Sequence, residues 1–267
     1  MSRKELIDQI FTKQSFLCVG LDPDLSKIPA FLGSGPEAIL RFNRDIIDAT
    51  RPYCVAYKTN FAFYEILGTA GWQVLEETIR YIGHEHFIIA DAKRGDIGNT
   101  AKKYAVSVFD TLGADAITLS PYMGIDSILP FLEHKGKWAI PLALTSNIGS
   151  SDFQQLTAEG RSIFEHVLQV SQSWGTPENM MYVVGATRAE HLKKIRQIVP
   201  EHFLLIPGIG AQGGSLYEVV EKGMIADCGL LVNSSRGILY KSSKNDFSKE
   251  AAFEAKNLQQ KMTKLLP

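Results

Sequence analysis

Short apolar runs alternate with longer amphipathic segments along the whole chain. The runs are too short for buried helices, and many are bounded by Gly, Pro, Asn or Asp, which is typical of buried strands. We therefore predict eight strands, at residues 16–21, 53–57, 87–91, 114–119, 138–144, 180–184, 203–206 and 228–232.

The segments between these strands have helical patterning. Pro36 suits the first turn of a helix, Gly68 and Gly71 should interrupt a long one, and Asn99 or Thr100 is a candidate N-cap. A polar loop is predicted over residues 148–155. The predicted helices cover residues 3–13, 36–49, 61–82, 100–112, 126–133, 157–174, 189–199, a short segment ending at 222, and 249–265.

Strands that alternate with helices predict βαβ units and a parallel sheet. Eight such units in 267 residues favour an α/β fold with a single (β/α)8 barrel, preceded by a short N-terminal helix. We expect residues 1–267 to form one catalytic domain. An open doubly wound sheet is the alternative, but the first strand–helix turn, GLDPDL, is not a glycine-rich dinucleotide loop.

Composition narrows the possible functions. Lys and Arg total 28 and Asp and Glu total 29, so a general nucleic-acid binder, which usually carries a basic excess, is not expected. The N-terminus has no long apolar stretch, which predicts neither a signal peptide nor a membrane span. Three scattered cysteines (Cys18, Cys54, Cys228) indicate no disulfide framework and no zinc site, so a cytoplasmic location is expected.

Histidines do not predict a metal site either. All of them lie on predicted helices or on loops that precede strands, away from the end of a barrel where active sites form. We therefore interpret them as solvated loop or helix residues, including the ligand-like pair His84 and His86. The six are His84, His86, His134, His166, His191 and His202.

Polar residues follow most of the predicted strands. In a barrel the carboxyl ends of the strands form one face, so residues scattered along the chain would converge there. The simpler reading is that polar residues follow strands because loops are solvated. The residues concerned are Asp22, Lys58, Asp91, Lys93, Ser146, Gln212 and Arg236.

The segment FIIADAKRGDIGNT, residues 87–100, carries the densest chemistry. Asp91 and Lys93 lie two apart on a strand and so should face the same side, and Asp96 follows in a glycine-bounded turn. With Lys58 these residues form either a structural ion-pair network or a catalytic cluster. A lysine there is a proton donor or, if desolvated, a Schiff-base nucleophile; flanking carboxylates favour the charged ammonium and the acid role.

A second motif indicates an anion site. PGIGAQGG, residues 207–214, follows strand seven, and backbone N–H groups of such loops can approach phosphate. Arg236 follows strand eight, and barrels commonly hold phosphate after strands seven and eight. The alternative is a tight turn beside a surface arginine.

These motifs together resemble the orotidine 5′-phosphate decarboxylase family, in its longer bacterial subgroup. The resemblance rests on DAKRGDIGNT, on Lys58, on PGIGAQGG and on SSRG, and it extends from Gly20 to Arg236. It implies decarboxylation of orotidine 5′-monophosphate (OMP) to UMP and CO2, the last step of de novo pyrimidine synthesis, with no metal or organic cofactor.

The resemblance also implies catalytic roles. Lys93 would protonate C6 of the pyrimidine as CO2 leaves, and its charge would stabilise the carbanion-like transition state. Asp91 would lie against the substrate carboxylate and hold Lys93, while Lys58 and Asp96 would complete the charge network. Asp96 and Thr100 would reach the partner's site in a homodimer.

Substrate-binding roles follow in the same way. Asp22 and Lys58 would lie near the ribose, Ser146 would hydrogen-bond the pyrimidine amide, and the polar loop after Ser146 is a candidate lid. Ser235 stands where some family members have glycine, and its backbone can still reach phosphate. The phosphate-binding set would be Gln212, Gly214, Ser235 and Arg236.

Two other readings of the same residues remain. One is a sugar-phosphate decarboxylase, which needs a metal, or a Schiff-base aldolase on the same barrel. The other is a nucleotide-binding barrel without catalytic activity, which the intact Lys58, Asp91, Lys93 and Asp96 set disfavours.

Overall fold

Eight parallel strands close into a barrel in the computed structural model, which describes residues 1–209 and 214–267. This confirms the predicted fold. Strand β1 pairs with β2 on one side and with β8 on the other, which closes the sheet. The barrel strands are β1 Leu17–Leu21, β2 Ala56–Asn60, β3 Phe87–Arg94, β4 Ala116–Leu119, β5 Trp138–Leu144, β6 Met181–Val184, β7 Phe203–Pro207 and β8 Leu230–Ser234.

Helices cover the outside of the barrel. The longer α-helices are Arg3–Lys13, Pro36–Thr50, Thr69–Ile82, Gly98–Val106, Ile163–Ser171, Leu192–Ile198, Leu216–Gly223 and Phe247–Thr263. Four-residue helices span Ala62–Glu65, Leu129–Leu132, Ser150–Phe153 and Arg236–Leu239. Other turns are a π-helix at Ser107–Thr111 and 3₁₀ segments at Ala30–Leu32, Pro121–Ser127 and Ala186–His191. No helix of the described ranges has the length and apolar character that crossing a membrane requires.

Aromatic side chains close the amino end of the barrel. Phe87, Trp138 and Phe203 are the first residues of β3, β5 and β7, and their buried rings pack edge to face at centroid distances of 5.7 and 6.5 Å. The N-terminal helix packs nearby, since the Trp138 indole donates to the carbonyl of Met1 at 3.0 Å. With this end filled, the barrel can open only at the carboxyl ends of its strands.

Two strands extend further than the sequence predicts. The second was predicted over 53–57, but β2 runs over Ala56–Asn60, and β3 continues past residue 91 to Arg94. Lys58 and Lys93 therefore lie within strands rather than after them. The strand backbone consequently fixes where each lysine side chain begins.

Several helix starts differ from the prediction. The helices predicted from residues 126 and 189 begin as α-helices at Leu129 and Leu192, each after a 3₁₀ segment.

The helix predicted from residue 157 begins at Ile163, because Thr157–Ala158 pairs with Arg161–Ser162 in a hairpin whose turn, Glu159 and Gly160, has positive φ. A capping box between Ser162 and Glu165 then starts the helix.

The start of the helix after β3 also differs from the prediction. It starts at Gly98, with Ile97 at the N-cap and no side-chain cap, so neither Asn99 nor Thr100 caps it.

Two histidines are buried rather than solvated, contrary to the sequence interpretation. His86 has no exposed surface, and its Nε2 lies 2.8 Å from Lys13 Nζ and 3.0 Å from the Arg51 carbonyl oxygen. Burial first, and then the nearby cations, lower the pKa of His86 to about 4. His202 is 5% exposed, and burial together with Arg196 and Arg3 lowers its pKa to about 4 as well.

These two histidines make stability depend on pH. Both are neutral when folded and take up protons near pH 6.5 when unfolded, so their contribution is complete above pH 6.5 and is lost as pH falls toward 4. We expect each of the two histidines to lower the free energy of unfolding by about 2 kcal/mol as the pH falls from 7 to 5. In denaturant titrations His86→Gln should weaken this dependence, whereas the exposed control His84→Gln should not; equal pH profiles for wild type and His86→Gln would contradict the assignment.

Candidate active site

A cavity of about 210 Å³ opens at the carboxyl end of the barrel. Every strand supplies a lining residue or leads directly into one, as is usual for this end of a (β/α)8 barrel. Of the polar residues predicted to converge here, five line the cavity: Asp22, Lys58, Asp91, Lys93 and Arg236. The lining comprises Asp22, Lys58, Asn60, Asp91, Lys93, Thr118, Leu142, Val183, Leu205, Pro207, Gly208, Ile209, Asn233, Ser234, Ser235 and Arg236.

Charged groups of alternating sign lie along one side of this cavity. Lys58 Nζ is 3.6 Å from Asp22 Oδ1 and 2.9 Å from Asp91 Oδ2, and Lys93 Nζ is 2.6 Å from Asp91 Oδ1. Each ammonium therefore contacts at least one carboxylate, and Asp91 is held by a different lysine at each oxygen. The opposite wall is apolar and includes Leu142, Val183 and Leu205 from β5, β6 and β7.

Burial and pairing fix the charge states of the two inner groups. Burial alone would lower the pKa of Lys58, but the carboxylates of Asp22 and Asp91 outweigh it and hold that pKa above its ordinary value. Burial alone would raise the pKa of Asp91, but Lys58 and Lys93 outweigh it and hold that pKa well below its usual range. Both groups are thus ionised at neutral pH.

Lys93 differs from Lys58 in its surroundings. Its side chain is 51% exposed, against 6% for Lys58, so the Lys93 ammonium is paired at one side and open toward the cavity at the other. Its backbone has φ of 47°, an uncommon conformation for a residue with a side chain. An open ammonium, tethered to a buried carboxylate, is suited to deliver a proton to a bound molecule.

Asp22 is held by contacts that the sequence did not reveal. Ser235 Oγ donates to Asp22 Oδ2 at 2.5 Å, and Tyr240 donates its hydroxyl to the Asp22 carbonyl at 2.7 Å. The Ser235 side chain has room only because residue 20 is glycine, since a Cβ on Gly20 would lie 2.8 Å from Ser235 Oγ. Ser235 therefore orients a carboxylate, in addition to any role of its backbone.

Of the residues predicted to form the anion site, the structure describes Arg236 and Gly214 as well as Ser235. Arg236 is exposed at the rim of the cavity, at the start of the helix after β8. Gly214 packs so closely that an added Cβ would lie 2.4 Å from Ala186 Cβ, so this position requires glycine. Gln212 lies outside the described residues.

Three further predicted site residues lie, like Gly214, outside the cavity lining. Ser146 is half-buried after β5, and Gly185 packs against it, where an added Cβ would lie 2.7 Å from the Ser146 nitrogen. Asp96 makes no ion pair within residues 1–209 and 214–267; its Oδ1 accepts from the Ile97 amide at 2.8 Å. Thr100 is exposed on the following helix.

Thr118 and Asn233 line the cavity but were not singled out from the sequence. Each is a buried polar residue inside an apolar strand, at the third position of AITL and the fourth of LLVNS. A polar residue within such a run was the available signal, because it must have a partner or face a cavity. In the part of the chain that the structure describes, no three His, Cys, Asp or Glu side chains cluster as a metal site would need.

The closed barrel and its lysine–carboxylate cavity define a (β/α)8-barrel enzyme with its site at the carboxyl ends of the strands. Residues 15–251 match the model of the orotidine 5′-phosphate decarboxylase / HUMPS family. This match covers most of the chain, and the chain belongs to that family.

Relatives of high identity extend over the full length. A Porphyromonas gingivalis protein named orotidine 5′-phosphate decarboxylase is 56% identical over 266 residues, which cover 98% of this chain and 96% of that protein. The protein of that name from Phocaeicola vulgatus is 54% identical and covers 100% of this chain and 99% of its own. The structure of Leishmania donovani OMP decarboxylase superposes with a TM-score of 0.84 at 37% identity, covering 97% of this chain and 99% of that one.

Proposed function

We propose that this protein decarboxylates OMP to UMP and CO2 in de novo pyrimidine biosynthesis, with its own side chains as the only catalytic groups. The observation that carries the proposal is the row of ions from Asp22 through Lys58 and Asp91 to Lys93, in a chain whose relatives are named for this activity. We further propose that residues 1–267 form a single catalytic domain that acts in the cytoplasm.

The cavity suggests how the nucleotide lies. Arg236 and the loop after β7 bind the phosphate at the rim, where a guanidinium can make two parallel hydrogen bonds. Asp22 and Lys58 bind the ribose hydroxyls. Ser146, which lies outside the cavity lining, is assigned to the pyrimidine amide from the family resemblance alone. The flat base then rests against the apolar wall of β5 to β7, with C6 and its carboxylate directed toward Lys93 and Asp91.

The chemical step is then short. The bond between C6 and the carboxylate breaks, the electron pair remains on C6, and CO2 leaves. The Lys93 ammonium stabilises the developing negative charge and transfers one proton to C6, becoming a neutral amine that solvent reprotonates. Asp91 holds the ammonium in place and lies against the departing carboxylate, which adds repulsion in the bound substrate.

The loop after β5 is proposed as a lid. Ile148, Phe153 and Leu156, within ten residues after Ser146, are 92%, 69% and 53% exposed. Closing over bound nucleotide would bury this apolar surface and exclude water. Binding energy from the phosphate would then contribute to the chemical step.

Lys93→Ala should reduce OMP decarboxylation by at least roughly 10³-fold, because it removes both the proton donor and the stabilising charge. UMP should still bind, since the phosphate and ribose contacts remain. The assay is the fall in OMP absorbance with UMP formed, with and without EDTA. Lys135→Ala, an exposed lysine on a loop before β5, serves as the control. Unchanged turnover in Lys93→Ala would refute the mechanism, and EDTA-sensitive turnover would refute cofactor independence.

Arg236→Ala should lower kcat/KM for OMP by roughly 10- to 100-fold, mainly through KM, because a charged hydrogen-bond partner of the phosphate is lost. Orotidine, which is the substrate without its phosphate, provides the matched control and should be turned over equally by wild type and variant. Equal losses with both substrates would mean that Arg236 acts elsewhere than on the phosphate.

We propose a homodimer in which Asp96 and Thr100 serve the partner's site. The pair lies outside the cavity of its own subunit, on a surface that also exposes Ile97 at 51% and, after β4, Tyr122 at 91% and Met123 at 44%. Exposed apolar side chains grouped around charged site residues are typical of a protein–protein contact.

Subunit mixing tests this arrangement. Lys93→Ala and Asp96→Asn should each be inactive alone, but a hybrid dimer would contain one site with an intact Lys93 and the partner's intact Asp96. Refolding an equal mixture should restore about a quarter of wild-type activity, since half of the dimers are hybrids with one good site each. If Asp96 acts within its own subunit, the mixture stays inactive.

A further inference from the structure

The hydroxyl of Thr118 on β4 lies between the Asp91 carboxylate and the Lys93 backbone. Its Oγ1 donates to Asp91 Oδ1 at 2.9 Å and accepts from the backbone N–H of Lys93 at 3.0 Å. The side chain is 1% exposed and lines the cavity. One hydroxyl thus contacts both the carboxylate that holds the Lys93 ammonium and the backbone from which the Lys93 side chain begins.

A bulge in the sheet makes this contact necessary. β3 and β4 pair regularly at Ala90 with Ile117 and again at Arg94 with Leu119, so three residues of β3, from 91 to 93, lie opposite Thr118 alone. In a regular ladder the strand partner's backbone would satisfy an N–H group. Here the Thr118 side chain accepts the N–H of Lys93 instead.

The bulge also places Lys93 in an uncommon backbone conformation, with φ of 47°. Such a conformation persists in a residue with a side chain only when surrounding contacts hold it. The Thr118 hydroxyl supplies such a contact at the peptide N–H. At its other end the Lys93 side chain reaches Asp91 Oδ1 at 2.6 Å, the same oxygen to which Thr118 donates.

We propose that Thr118 is a positioning residue for the Lys93 ammonium. Because the Lys93 N–H can only donate, the hydroxyl oxygen must accept there, and its single proton is then available for Asp91. Backbone, hydroxyl, carboxylate and ammonium form a closed ring of contacts that leaves the ammonium little freedom. The inference rests on the proposed role of Lys93 as proton donor.

The chain offers a set of matched variants. Thr118→Val removes the hydroxyl and keeps the shape, whereas Thr118→Ser keeps the hydroxyl. Thr59→Val is the control, because Thr59 on β2 is also fully buried, and its Oγ1 has no hydrogen-bond partner in residues 1–209 and 214–267.

In steady-state assays with OMP, Thr118→Val should lower kcat by roughly 10- to 100-fold. Without the Thr118 hydroxyl, the Lys93 ammonium is no longer held in position to donate its proton. The Kd for UMP should stay within about twofold, because the Thr118 hydroxyl contacts Asp91 and the Lys93 backbone rather than the phosphate or ribose. Thr118→Ser should keep kcat within a few-fold of wild type, and Thr59→Val should match wild type. A loss of packing would instead change kcat, UMP affinity and Tm together in Thr118→Val and would not be relieved by serine.

Hydrogen exchange at the Lys93 amide gives a measurement that does not depend on activity. Exchange should be faster in Thr118→Val and near wild type in Thr118→Ser, since only serine retains the acceptor. If Thr118→Val does not fold, Thr118→Ala, which also removes the hydroxyl, replaces it with the same expectations.

The outcomes separate two possible failures. Wild-type protein that folds but does not turn over OMP would overturn the proposed function. An active wild type whose Thr118→Val variant has unchanged kcat, or unchanged exchange at the Lys93 amide, would overturn the positioning role alone.

Discussion

The site depends on one arrangement, a buried carboxylate shared by two lysines. Asp91 is 8% exposed, and an ionised carboxylate at that depth is costly unless it is paired and hydrogen-bonded. Lys58, Lys93 and Thr118 together supply those partners. Removing any one leaves the buried carboxylate with fewer of these partners, so the three residues act on Asp91 together rather than separately.

The barrel supports this arrangement through its two unlike ends. At the amino end, Phe87, Trp138 and Phe203 fill the space between strands with apolar surface. At the carboxyl end, the same strands β3 and β5 contribute to an open cavity. The aromatic layer at the amino end therefore adds hydrophobic stability away from the cavity, and the charged side chains lie at the opposite end.

Sequence patterning was sufficient for the architecture. The apolar runs predicted all eight strands, and β5 was placed at its observed bounds, because a buried parallel strand is almost continuously apolar. The cluster of Lys58, Asp91 and Lys93 was also predicted, from regular alternation along β3, although in the structure Asp91 and Lys93 lie within a bulge. What periodicity cannot reveal is a departure from periodicity: the bulge opposite Thr118 and the hairpin at residues 157–162 both arise from local backbone conformation.

The close approach of Gly20 and Ser235 limits which amino-acid substitutions the two positions can accept. A side chain at position 20 would overlap Ser235, so each position limits the other. Their substitutions are therefore not additive, and the order in which they occur matters. Position 235 must lose its side chain before position 20 can gain one. A chain with glycine at both positions would lack the hydroxyl that donates to Asp22. Among sequences that share this barrel, the two positions should covary.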